Sequence, residues 1–263
     1  MHSTTTVLSR EHHGPQVRAV TLDHPWRWLS SAWLDICSMP GISYVYGAVF
    51  ALIGFALLGG LQTVGMAWLI LPLGFGFALV GPAVAVGLYE TSRRLDRGLD
   101  LDFIHAFTAF RRNPGQIALV GLFLLVAFIA WVRLAMMEFM LFFGSEPPAL
   151  DNLIHALLFS PQSAAFLVVG TITGVVLAAV TFAMTAVAIP MLVDRPECDA
   201  MTAMLVSVEA VRTNWRPMAL WAFLIALFTL VGMAMMVIGL MITLPLIGHA
   251  SWHAYRDLVE YTP

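Results

Sequence analysis

Two histidines near the C-terminal end of the chain, His249 and His253, stand four residues apart. On a helix that spacing puts both rings on one face, one turn from each other. Such a pair could ligate a metal ion or give a haem an axial ligand. The glutamate of the zinc-protease pattern is missing, because Ala250 follows His249. The alternative is a polar and aromatic girdle at the edge of an apolar region, shared with Trp252, Tyr255 and Arg256. A second pair, Arg133 and Glu138, interrupts a long apolar run. If that run lies in a bilayer, each charge is costly and marks function by default. Yet five residues apart is no natural helical pair, and Arg133 can snorkel to the interface. Glu90, Asp102 and His105 suit either a proton path or a solvated face. Cys37 and Cys198 lack the CxxC spacing of a zinc ribbon or a covalent haem site. No phosphate loop, GxSxG elbow or dinucleotide fingerprint occurs. Nothing suggests nucleic-acid binding.

The elements that must carry these residues are apolar runs at 44–60, 66–88, 117–143, 164–193 and 218–247. The chain has 263 residues, 60% hydrophobic and 11% charged, against about 25% charged in soluble domains. Its mean hydropathy is +0.85. A bilayer core takes about 20 apolar residues per helix, and such segments must satisfy their backbone internally. The runs do not alternate as membrane β-strands would. The expectation is an all-α, polytopic helical membrane protein with about six transmembrane helices. The stretch 218–255 divides near Gly232 into the last two.

Three amphipathic helices accompany the spans. The first starts at Asp23-His24-Pro25, with Trp26, Leu29, Trp33 and Ile36 on one face. The second covers 99–112, with Leu99, Phe103, Phe107 and Phe110 on one face. The third runs from Asp199 to Arg212, with Met201, Met204, Leu205, Val208 and Val211 together. Residues 1–22 read as a flexible tail, not a signal peptide. Residues 144–163 read as a loop with a short interfacial helix at 153–159. Gly170, Gly174 and Ala178 form a small-xxx-small ladder.

The chain also repeats. Arg111 and Asn113 recur 101 residues later as Arg212 and Asn214, and Ala85-Val86 recurs as Ala186-Val187. Pro40-Gly41 mirrors Pro114-Gly115. The domain, 23–258, then reads as interfacial helix plus membrane hairpin three times, at about 25–90, 99–193 and 199–257. All thirteen basic residues are arginine, which suits GC-rich bacterial coding. Apart from Arg133 and Arg256, they fall before the first span, between the second and third, and between the fourth and fifth. Arginine-rich short loops stay in the cytoplasm. Both termini and all three amphipathic helices are therefore expected on the cytoplasmic side, where anionic lipid attracts arginine.

The C-terminal block Leu-Pro-Leu-Ile-Gly-His-Ala-Ser-Trp-His-Ala-Tyr-Arg at 244–256, with this layout, resembles a bacterial family of predicted integral membrane proteins classed as a domain of unknown function. The resemblance covers most of 20–258 and implies a multi-pass protein of the bacterial inner membrane. Some relatives carry a cytochrome c oxidase subunit I label, which implies a haem–copper centre and association with a respiratory complex. Such a centre takes several histidines deep in several helices. Here the spans before the last contain none, and His105 and His155 lie outside them.

The lack of a catalytic set, beside small-residue packing surfaces, points to a non-enzymatic accessory, assembly or scaffold factor that needs no cofactor. Its partners would be the bilayer and another membrane protein or respiratory complex. A small-solute or ion transporter is the alternative, since repeated hairpins and Gly/Pro-broken spans suit one. A respiratory component linked to haem or metal through His249 and His253 is the third. A reporter fused after Pro263 is expected to read cytoplasmic; a periplasmic signal would overturn the six-span topology.

Overall fold

A computed structural model describes residues 14–144, 155, 159–235 and 238–261. The expected interfacial helix at 153–159 lies, apart from His155 and Phe159, outside the described residues. The fold is all-α. Helix α1 is His24–Ser38 and α2 is Pro40–Thr63. A 3-10 turn at Ala67–Leu69 leads to α3, Ile70–Val84, and α4, Val86–Asp96. After α5, Phe103–Phe107, comes the long α6, Pro114–Phe143. Then follow α7, Ser163–Thr185, and α8, Ala188–Asp194. Last come α9, Ala200–Thr213, α10, Trp215–Ala234, and α11, Leu240–Leu258.

Five stretches are long and apolar enough to cross a membrane: Pro40–Thr63, Ile70–Asp96, Pro114–Phe143, Ser163–Asp194 and Trp215–Ala234. The sixth expected span, α11, falls short of that standard, because its second half carries His249, His253, Arg256 and Asp257. Helix α10 runs through Gly232 to Ala234, so the division falls just beyond that glycine. Gly232 is a contact point: a Cβ there would lie 2.3 Å from Thr243 Oγ1. The absent side chain lets α10 and α11 pack closely.

Two of the three interfacial elements are helices, α1 and α9. On α1, Trp28, Ala32 and Ile36 are buried while Trp26 and Trp33 are exposed. On α9, Ala200, Ala203, Val206, Ser207 and Ala210 are buried while Met201 and Leu205 face out. Small residues permit close approach between helices, and the bulky apolar ones can face lipid instead. Asp199 caps α9 as expected, accepting from Thr202 N–H at 2.9 Å. The third element, 99–112, is not one helix: α5 is followed by a 3-10 turn at Ala109–Arg112. The expected tail is ordered from Pro15 on. Strand β1, Pro15–Val17, pairs antiparallel with β2, Val259–Tyr261, so the two ends of the described chain meet.

The repeated residues occupy equivalent structural positions. Ala85-Val86 and Ala186-Val187 mark the two places where a span breaks before a short terminal helix. A break leaves backbone groups without helical partners. At the first, Tyr46 Oη donates to Val84 O at 2.6 Å and accepts from Gly87 N–H at 3.3 Å. At the second, Ser207 Oγ accepts from Val187 N–H at 3.3 Å. A hydroxyl from a neighbouring helix repairs each kink. The asparagines also correspond. Asn113 donates to Cys198 O, just before α9, and Asn214 donates to Arg18 O, just before α1, both at 2.9 Å.

The short pieces beyond the kinks, α4 and α8, meet the second half of α11. Val86 to Arg93 and Ala188 to Asp194 are buried throughout. Gly248 lies so close to Leu88 that a Cβ would fall 2.4 Å from Leu88 Cδ1. By contrast Leu122, Leu125, Val126 and Ile129 on α6 and Ile172, Val175 and Val176 on α7 are exposed, as suits a lipid-facing surface.

Substitution Gly87→Ala puts a Cβ 2.4 Å from Ala106 O and 2.5 Å from the Tyr46 ring. It should cost about 1–3 kcal/mol through overpacking. Gly115→Ala on α6 meets nothing within 4 Å and should be neutral or slightly stabilising. Thermal melts of both variants in mild detergent check the contrast.

Candidate functional site

His249 has no exposed surface. Its ring lies between two serines, 3.0 Å from Ser43 Oγ through Nε2 and 2.7 Å from Ser92 Oγ through Nδ1. Ser92 Oγ donates its single proton to Asp35 Oδ2 at 2.5 Å, so toward His249 it must accept, and Nδ1 carries the hydrogen. In the neutral ring Nε2 then accepts from Ser43. His253 Nε2 donates to the same Asp35 oxygen at 3.0 Å. One chain of bonds thus runs Ser43, His249, Ser92, Asp35, His253, drawing on α2, α11, α4 and α1. Burial works to raise the Asp35 pKa, but the hydrogen bonds from His253 and Ser92 outweigh it and hold the carboxyl below its usual range.

Beside this chain lies an ionic layer. Glu90, 2% exposed, accepts two bonds from the Arg93 guanidinium and one from Arg94 Nε, each at 2.7 Å. A carboxylate this deep is stable only when paired and hydrogen-bonded. Asp194, whose side chain has no exposed surface, pairs with Arg97 and accepts from Tyr255 Oη at 2.9 Å. Trp252 Nε1 donates to Asp96 Oδ2 at 2.6 Å, and Trp28 Nε1 to Asp257 Oδ2 at 2.8 Å. Arg18 donates to the carbonyls of Arg256 and Asp257 near the end of α11, as a cation at a helix C-terminus should.

His249 and His253, the expected pair, do come together, through Asp35. Ser43, Ser92 and Asp35 carried no sequence signal, because the bonds cross 206, 157 and 218 residues. Glu90 is not on a solvated face as the sequence suggested: it is buried, and Arg93 and Arg94, three and four residues on, pair with it. Asp102 and His105 are not among its partners. Cys37 is exposed, and Cys198 Sγ donates to Asp199 O at 3.4 Å. The residues present do not fit a haem–copper centre: both His249 nitrogens are taken by hydroxyls. Among the described residues no group of three His, Cys, Asp or Glu could hold a metal ion.

Arg133 and Glu138 part company. Arg133 is exposed, while Glu138 is 6% exposed. Glu138 lines a chamber of about 780 Å³ between α3, α6 and α7. A second cavity of about 440 Å³ lies between α3, α7, α10 and α11, and Val175 borders both. The hydroxyls of Thr181 and Thr243 in its wall have no partner among the described residues.

Residues 70–194 match the model of a family described as "Predicted integral membrane protein (DUF2189)". The chain is an integral membrane protein. The match runs from the first residue of α3 to the last of α8, so it takes in Glu90, Arg133, Glu138 and Asp194 and stops short of the C-terminal histidine block. No curated protein and no solved structure matches this integral membrane protein.

Asp35→Asn keeps one carbonyl acceptor but removes the negative charge that Ser92 and His253 face. Because the Asp35 pKa lies below its usual value, its ionised form stabilises the fold at neutral pH. That contribution is lost as the pH falls through the folded-state pKa. Wild type should therefore melt above Asp35→Asn at pH 7. The gap should close below about pH 4, as read by melting curves in detergent across pH.

Proposed function

We propose that this membrane protein performs no chemistry of its own and serves as an accessory, assembly or scaffold factor for another membrane protein or a respiratory complex in the bacterial inner membrane. The carrying observation is the state of its polar core. Glu90, Asp194, His249 and Asp35 are each bound by other protein groups. Buried polar groups satisfied in this way fix one arrangement of helices. Bulky apolar and aromatic side chains, among them Trp26, Trp33, Phe103 and Phe110, face outward. Arg93, Arg94, Arg97, Arg112, Arg195 and Arg256 all join ion pairs in the layer around Glu90, Asp194 and Asp96, and the β1–β2 pair joins the chain ends. This arrangement supports cytoplasmic termini by the arginine rule. In native gels of gently solubilised membranes the chain should migrate with one stoichiometric membrane partner. Migration alone, with solute flux in proteoliposomes, would overturn the proposal.

Flux would favour the second reading, a small-solute or ion transporter, which draws on the adjoining cavities and the buried Glu138. The third reading is a metal ion at His249 and His253. It draws on the convergence of His249 Nδ1 and His253 Nε2 on Asp35 Oδ2, at 3.8 and 3.0 Å. Optical spectra and metal analysis of the purified protein test it. Stoichiometric metal lost in His253→Ala supports this reading, and a blank result removes it.

A further inference from the structure

The chamber around Glu138 is shaped on two sides. On α7, a Cβ at Gly170 would lie 3.3 Å from Glu138 Oε2, and one at Gly174 would lie 3.1 Å from Trp131 Cζ3. Two glycines one turn apart therefore leave room for a carboxyl group and an indole from α6. The indole is fixed, because Trp131 Nε1 donates to Pro72 O at 2.8 Å. Trp68, Phe75, Phe139 and Phe166 line the same space, and among the described residues Thr171 is the one other hydrogen-bonding side chain beside Glu138 and the two indoles. No described side chain pairs with Glu138. Arg133, the ionisable neighbour on α6, is exposed on another face, and α3 and α7 contain no ionisable residue at all.

A buried carboxyl group in apolar surroundings is neutralised in one of two ways: it keeps its proton, or it meets a cation. An inorganic divalent cation needs about six or more oxygen ligands, and this wall offers Glu138 and Thr171. Aromatic faces instead attract cations whose charge is spread over an organic body, and thioethers such as Met136 and Met140 adapt to such shapes. The volume of about 780 Å³ suits one drug-sized molecule. We propose that this chamber binds a lipophilic organic monocation, with Glu138 as its counter-ion. The site is independent of the accessory reading, since it concerns a ligand and not a partner protein.

The test is equilibrium dialysis of tetraphenylphosphonium against the purified full-length protein in mild detergent, with neutral triphenylphosphine oxide as control. Saturable binding is expected. It should weaken about tenfold or more in Glu138→Gln through loss of the ionic attraction, stay unchanged in Arg133→Gln, and be weak for the oxide. The comparison of cation with neutral oxide on the wild type needs no variant. Equal binding of the neutral oxide, undiminished binding by Glu138→Gln, or no binding would each overturn the proposal.

Discussion

Asp194 is the point at which three helices are tied. It ends α8, pairs with Arg97 just beyond the end of α4, and accepts from Tyr255 on α11. Its side chain has no exposed surface. A carboxylate this deep is stable only with partners, and Arg195, Arg256 and the Tyr255 hydroxyl stand beside Arg97 as its compensation. The spans can therefore end in buried polar helices only while this tie and the neighbouring Glu90–Arg93 pair hold. The kinks at Ala85 and at Ala186-Val187 belong to the same constraint. They aim α4 and α8 inward, and Tyr46 and Ser207 satisfy the backbone groups that the kinks release.

This division gives the molecule two ends of different character. Around α4, α8 and the second half of α11, nearly every buried polar group has a partner, and the packing leaves no space for a Cβ at Gly87 or Gly248. Toward the Glu138 end, α3, α6 and α7 enclose cavities, and polar atoms stand alone: Thr181 and Thr243 without partners, Glu138 in its aromatic chamber. A closed polar end and a cavitied apolar end are compatible with a rigid mount for a partner or with a binding protein.

Much of the frame was legible in the residues. The spans follow from hydropathy because a bilayer demands long apolar helices. The kink positions and the Asn113 and Asn214 ties were marked by the 101-residue repeat. On α1 and α9 the exposed Trp26, Trp33, Met201 and Leu205 belong to the apolar faces legible in the sequence, as suits helices beside headgroups and lipid. The small-residue ladder at Gly170 and Gly174 pointed to close helix contact, and the structure uses it to seat the side chains of Glu138 and Trp131.

By itself the sequence determined an all-α membrane protein of long apolar helices and the chemical identity of its few charges. Those properties depend on composition and on spacing within one helix. The tertiary structure alone decided that His249 joins Ser43, Ser92 and Asp35, that Asp194 ties three helices, and that Glu138 faces a chamber while Arg133 faces out. Those contacts join helices distant along the chain, or depend on which side of a helix finds a neighbour, and no local pattern encodes either.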